Sequence, residues 1–299
     1  MRVLIMGASG LLGHTLAYAW KDTFEVDGTI HGAWKHICQP GSVSSHHPCR
    51  EKHVFNALSP HLSWLLRHCR PDVVVNCIGI VKQRPSSVTD MIEVNSLFPH
   101  RLSKVCKQHQ ARLIHISTDC VFSGTLGLCR ECERPDPVDT YGMTKLLGEL
   151  PYDLTIRTSF VGRELPGREH HGLWEWLRGH SRETHVAVGP SVPGYIGVSY
   201  SGLVVLELAN VLRRIILDWP WLRGLYHVAS EDISKHLLLR GINEQCNLGL
   251  HIAETRGPPK SMTLDSTAFQ HQTGYEPPTW AEQISQYHDW TKTLGIYDE

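Results

Sequence analysis

Short apolar runs and longer amphipathic stretches alternate along the first half of this chain. Arg2–Met6 (RVLIM), Phe24–Ile30 (FEVDGTI), Val73–Cys77 (VVVNC), Leu113–Ile116 (LIHI) and Leu154–Thr158 (LTIRT) are brief and mostly apolar with β-branched residues, the pattern of strands buried in a parallel sheet. Between them, apolar residues return at helical spacing in LLGHTLAYAW from Leu11, in Phe55–Cys69 before Arg70 and Pro71, in Met91–Gln108, and in YGMTKLLGEL from Tyr141. The stretch His31–His53, rich in His, Gly, Ser and Pro, reads as a loop. Strand and helix in alternation predict an α/β fold with a doubly wound parallel sheet. Beyond Thr158 the alternation gives way to loops rich in Gly, Pro, His and Trp, which predicts a smaller second lobe. We therefore expect a first domain over residues 1–160, with return segments from about 190–230, and a lobe made mainly of residues 161–299. A closing amphipathic helix is expected over Trp280–Thr293, with Trp280, Ile284 and Tyr287 on one side.

Composition narrows the partners. A chain of 299 residues with formal net charge -1 is long enough for a sizeable core and offers no electrostatic reason to bind nucleic acid or an anionic membrane. No apolar run approaches the roughly 20 residues of a membrane span, and the first residues form a strand instead of a signal peptide, so a cytoplasmic protein is expected. Nine scattered cysteines read as reduced thiols. No four-ligand constellation is visible. Cys129 and Cys132 make a single CxxC, His46, His47 and Cys49 cluster elsewhere, and His170 and His171 are adjacent, so no metal is expected to be needed.

Two stretches carry chemistry. The first is GASGLLG, Gly7 to Gly13, between the first strand and the first helix. Glycine is needed where the backbone turns sharply out of a strand and where a pyrophosphate must approach a helix N-terminus, so Gly7, Ser9, Gly10, Leu11, Leu12 and Gly13 are candidates for binding a dinucleotide. The second runs from Leu113 to Lys145. Its strand ends at Ser117, Thr118 and Asp119, where side chains of an open parallel sheet face the ligand crevice. Tyr141 and Lys145, four residues apart, stack on one helical face. A nearby ammonium should favour the tyrosine phenolate and tune the phenol to give a proton to a carbonyl oxygen, which Thr118 or Ser117 could hydrogen-bond.

GASGLLG, NCIG (Asn76–Gly79), HISTDCVFSG and YGMTKLLGE together resemble an extended short-chain dehydrogenase/reductase, and more narrowly the dTDP-4-dehydrorhamnose reductase family. RTSFVG (Arg157–Gly162), GLYHVASEDISKHLL and TGYEPPTW extend the resemblance over nearly the whole chain. The resemblance implies a Rossmann-type fold with a C-terminal substrate-binding lobe. It also implies Thr118, Tyr141 and Lys145 as catalytic residues, and a nicotinamide dinucleotide along Ile78, Gly79 and Ile80. Asn95 would support the lysine through the helix backbone, and Phe160 would lie against the sugar. HHGLWEWL reads as the lip of the substrate pocket. Where the rhamnose enzymes carry Gln, Gly and Pro-Thr, this chain has GYIGVSYSG, which leaves the sugar open. Asp27 lies inside the second strand while His31 and Lys35 follow it, so NADP(H) is preferred and NAD(H) is kept as the second choice. Arg163 and Arg168 are candidates for the diphosphate of a nucleotide-sugar substrate.

The expected activity is reduction of the 4-keto group of a nucleotide-activated deoxysugar with NADPH. Two other readings stand beside it: a non-catalytic NAD(P)-binding regulatory subunit, and an NAD-dependent nucleotide-sugar epimerase. Whether the chain forms a homodimer stays open.

Overall fold

The computed structural model describes residues 1–31, 48–84, 86–166, 171–182, 191–257 and 260–297. Of the residues singled out above, Lys35, His46, His47, Arg168 and His170 lie outside them. The described chain divides into two compact units, the first made of residues 1–121, 137–157 and 209–226, the second of 122–136, 158–208 and 227–299.

In the first unit, strands β1 (Arg2–Met6), β2 (Glu25–Ile30), β3 (Glu51–Val54), β4 (Val73–Asn76) and β5 (Arg112–Ile116) are joined by helices α1 (Leu11–Trp20), α2 (Leu62–Cys69), α3 (Val88–Met91) and α4 (Phe98–Gln108). Helix α5 (Thr140–Leu147) precedes the strand Leu154–Arg157. The sheet has seven strands in the order Gly224–His227, Leu154–Arg157, β5, β4, β1, β2, β3. The pairs β1·β2, β1·β4, β2·β3, β4·β5 and β5·(Leu154–Arg157) are all parallel. Strand order therefore reverses between β1 and β4, and in such sheets ligands collect at the carboxyl ends of the strands beside that reversal.

Burial explains why these runs are strands. Val3 to Met6, Val73 to Val75 and Leu113 to Ile116 are all buried, so both faces of each strand are covered and no polar alternation survives. Leu62, Leu65, Leu66 and Cys69 of α2 share one core with Leu4, Val74, Phe98, Leu102 and Leu113.

Three expectations change here. Residues 51–54 pair with β2 as an edge strand instead of continuing the loop; Glu51 and Val54 are exposed, and an edge strand of this kind shows no apolar signature. Helix α2 begins at Leu62, because Pro60 and the turn before it break the helical pattern, although Phe55 and Ala57 still reach the core. The third helix begins earlier, at Val88, where Ser87 and Asp90 form a capping box, and its middle, Ile92–Leu97, is π-helical.

The second unit holds a four-stranded sheet of Ile233–Ser234, Val198–Tyr200, Lys260–Leu264 and Leu128–Cys129, and two paired strands each of Leu203–Val204 with Phe160–Val161 and of His251–Thr255 with Ser191–Tyr195. Its closing helix, Trp280–Leu294, is started by a Thr279–Glu282 capping box and buries Trp280, Gln283, Ile284 and Tyr287. Among the described residues no helix is long and apolar enough to cross a membrane.

Candidate functional site

The glycine turn is shaped by contacts that leave no room for side chains. Gly7 takes φ +87°, a conformation that L side chains rarely adopt. A Cβ on Gly13 would lie 2.1 Å from the Gly7 carbonyl oxygen, so only glycine lets the first turn of α1 sit against the end of β1. The turn is tied to β2 by the Gly7 amide donating to Thr29 Oγ1 at 2.9 Å and the Ala8 amide to the Thr29 carbonyl at 2.8 Å. Helix α1 has no side-chain cap and no acidic residue in its first turn, so its N-terminal amides present a partial positive charge that suits the pyrophosphate of a dinucleotide. Ser9 and Leu12 are buried there, Gly10 and Leu11 half-buried, and the Gly10 amide donates to the Gly7 carbonyl at 3.0 Å. Past the end of β2, His31 is exposed. Asp27 is buried, with both carboxylate oxygens accepting from the Arg50 guanidinium at 3.1 and 2.7 Å.

Ile78, Gly79 and Ile80 follow β4. Asn95, from the π-helical turn, grips this segment at two points: its Oδ1 accepts from the Ile80 amide at 2.8 Å and its Nδ2 donates to the Ile80 carbonyl at 2.9 Å. The same Nδ2 donates to Thr144 Oγ1 at 3.2 Å, and Ser96 Oγ donates to the Thr144 carbonyl at 2.8 Å. Asn95 thus joins the loop after β4 to α5 next to Lys145 by its own side chain. Gly148 lets α5 come this close, since a Cβ there would lie 2.0 Å from the Asn95 carbonyl oxygen.

Helix α5, capped by Asp139 Oδ1 accepting from the Gly142 amide at 2.8 Å, carries Tyr141 and Lys145. The Lys145 ammonium is buried and donates to the Ile116 carbonyl at 2.7 Å, at the end of β5. Thr118 Oγ1 donates to Asp119 Oδ1 at 3.0 Å and accepts from the Cys120 amide at 3.2 Å. Burial pushes the Tyr141 phenol above its ordinary range, and its hydrogen bond with Thr118 pulls the other way. Burial dominates the phenol, so the lowering expected from the Lys145 ammonium does not emerge. The Ser117 hydroxyl donates to Glu149 Oε1 at 2.7 Å and ties the end of β5 to the chain just past α5.

Glu149 was missed in the sequence. It accepts from Ser117 and, through both oxygens, from Arg157 at 2.8 Å each. The only signal was the four-residue interval from Tyr141 to Lys145 to Glu149, and the helix ends before Glu149. Burial lowers Lys145 to about 8, with Glu149 and Cys77 pulling it up. Its folded value is below the ordinary 10.5, so between these pH values the unfolded chain holds the proton and the folded one has lost it. In that window this lysine makes folding more favourable as pH rises, while any step needing its charge weakens. We expect kcat/KM for the reduced cofactor to fall as pH rises through about 8, read from a pH-rate profile; a profile flat to pH 10 would refute a role for the cation.

The remaining candidates lie in the second unit. Phe160 is half-buried in a strand paired with Leu203–Val204. Arg163 is not free for a diphosphate: its guanidinium donates to Glu175 at 3.0 Å and to the Tyr297 carbonyl at 3.1 Å. Trp174, expected at a pocket lip, is buried edge-on against Tyr287 with ring centres 5.2 Å apart. Cys129 is buried and Cys132 exposed, and among the described residues neither joins a group of three metal-ligand side chains.

Comparison with known proteins gives the chain a family and a fold. The family model described as RmlD substrate binding domain matches residues 1–163. The dTDP-4-dehydrorhamnose reductase of Mycobacterium tuberculosis is 28% identical over 261 residues, covering 82% of this chain and 75% of that protein. Methionine adenosyltransferase 2 subunit beta of Xenopus laevis is 33% identical over 153 residues, covering 50% of this chain and 41% of that protein. The crystal structure of dTDP-4-dehydrorhamnose reductase from Bacillus anthracis in complex with NADP shares the fold, with a TM-score of 0.75 at 19% identity over 97% of this chain and 99% of that one.

Proposed function

The chain belongs to the RmlD substrate binding domain family, and from that premise we propose that it is an NADPH-dependent reductase acting on the 4-keto group of a nucleotide-activated deoxysugar, as a cytoplasmic step in making cell-surface polysaccharide sugars. The observation that carries this is the meeting of Thr118, Tyr141 and Lys145 at the carboxyl end of β5, in the same unit as the glycine turn. A bound nicotinamide dinucleotide supplies the hydride. As the carbonyl oxygen gains charge, Tyr141 gives it a proton, and a phenol pushed above its ordinary value is fully protonated at neutral pH. Thr118 turns its hydroxyl from Asp119 to the same oxygen. Lys145, held by the Ile116 carbonyl at the same strand end, would hold the nicotinamide ribose.

Preference for NADPH follows from the end of β2. Asp27, the acidic residue that would select the unphosphorylated ribose, has both oxygens on Arg50, and the exposed His31 follows the strand. The test supplies NADPH or NADH with a dTDP-4-keto-6-deoxysugar and follows loss of nicotinamide absorbance. Turnover with a lower KM for NADPH is expected. Tight NADPH binding without turnover of any 4-keto nucleotide sugar would favour a regulatory subunit, a reading supported by the half-chain likeness to an adenosyltransferase subunit. Copurified NAD would favour an epimerase.

A further inference from the structure

The β3 edge of the sheet gathers donor atoms that neither the dinucleotide nor the carbonyl chemistry uses. Glu51 and His53 stand two residues apart on β3 and so project to one side, and His68 and Cys69 close the last turn of α2. His68 Nε2 lies 3.2 Å from Glu51 Oε2, His53 Nε2 lies 3.7 Å from the same oxygen, and Cys69 Sγ lies 3.2 Å from His53 Nε2. One ligand atom each from Glu51, His53 and His68 falls within 4.8 Å of the others, and the same holds for Asp27, His53 and Cys69. Tetrahedral zinc, with bonds of about 2.0 Å to nitrogen or oxygen and 2.3 Å to sulfur, sets neighbouring donors roughly 3.2–3.7 Å apart. The Glu51, His53 and His68 donors stand near that edge length, whereas Cys69 Sγ stands close to His53 and not to the other two.

We propose that Glu51, His53 and His68, with Cys69 as fourth donor, bind zinc or a metal of the same ligand preference. Three donors stand together already, and Cys69 Sγ turns from His53 toward Glu51 and His68 to complete the tetrahedron. The His68 ring is already held by stacking on Trp64, with ring centres 5.1 Å apart and 10° between planes. Arg2, Arg50, Arg67 and Arg70 line the same hollow of about 450 Å³ and oppose a cation bound by charge alone. Selection then falls on borderline-soft metals held by nitrogen and sulfur, and excludes magnesium and calcium, which rely on oxygen ligands and charge. When the metal enters, the Cys69 thiol proton passes to solvent and the thiolate becomes the fourth ligand. Sequence gave no hint, because an E-x-H pair and an H-C pair separated by 14 residues match no zinc spacing.

The test titrates the full-length, chelator-treated protein with Co²⁺ and then Zn²⁺. One Co²⁺ per chain with tetrahedral visible absorption and a thiolate charge-transfer band is expected, displaced by Zn²⁺ and untouched by excess Mg²⁺. His68 and Glu51 side chains are about half exposed, so His68→Ala and Glu51→Gln should fold as wild type by circular dichroism. Each should weaken binding at or beyond the upper end of the roughly 10–100-fold that loss of even an outer-sphere partner costs. Cys69→Ser should remove the charge-transfer band. Failure of the wild type to bind Co²⁺ or Zn²⁺, or unchanged affinity and spectrum in both His68→Ala and Glu51→Gln, would overturn the proposal, the latter by placing the metal on other residues.

Discussion

Tyr141→Phe should lower turnover by roughly 10²- to 10⁴-fold, the range that general acid catalysis contributes, while leaving cofactor affinity close to wild type. The physical basis is local. Phenylalanine keeps the ring, and Asp119 and Lys145 keep their own partners, so the variant removes the phenol's proton and its hydrogen bond with Thr118 and little else. Lys145→Met should differ, because it deletes a buried cation whose proton on Nζ bonds the Ile116 carbonyl and which the proposed reaction uses to hold the nicotinamide ribose. That variant is expected to lose both turnover and NADPH affinity. Steady-state kinetics with fluorescence titration of NADPH separates the two effects. A Tyr141→Phe protein with near wild-type turnover would remove the phenol from the reaction.

Gly13→Ala should abolish useful dinucleotide binding. The added methyl would fall 2.1 Å from the Gly7 carbonyl oxygen and 2.8 Å from Ala8 Cα, and these are backbone atoms of the turn itself, with no flexible end to swing aside. Relief requires α1 to slide away from β1 by something near 1 Å, which carries the N-terminal amides off the pyrophosphate position; a misplacement of that size costs about 10²-fold in comparable sites. Gly10→Ala is the control. A Cβ there would stand 3.5 Å from the Gly7 oxygen, an ordinary contact, so its effect on NADPH affinity should be much smaller. Equal affinities of the two variants would show that the turn does not hold the dinucleotide.

Much of the first unit was legible in the sequence because its signals are local. A strand buried on both faces must be apolar throughout, so RVLIM, VVVN and RLIHI announce themselves. A glycine turn between strand and helix has few alternatives, and spacing by four aligns Tyr141 with Lys145 on α5. Edge strand β3 was not legible, since pairing on one side only lets Glu51 and Lys52 stand where a central strand would need valines.

What only the tertiary structure decided is which partner each polar group takes. Nothing in the order of residues says that Arg50 will occupy both oxygens of Asp27, that Ser117 will give its proton to Glu149, or that Arg163 will be held by Glu175. Nor does it say that Lys145 will bond the Ile116 carbonyl, or that burial will dominate the Tyr141 phenol. Chain order encodes periodicity, turn chemistry and helix caps, which act within a few residues and fix the elements. Hydrogen-bond partners and proton affinities depend on groups 8, 12, 23, 29 or 32 residues away that meet after folding, where burial strengthens every unscreened charge.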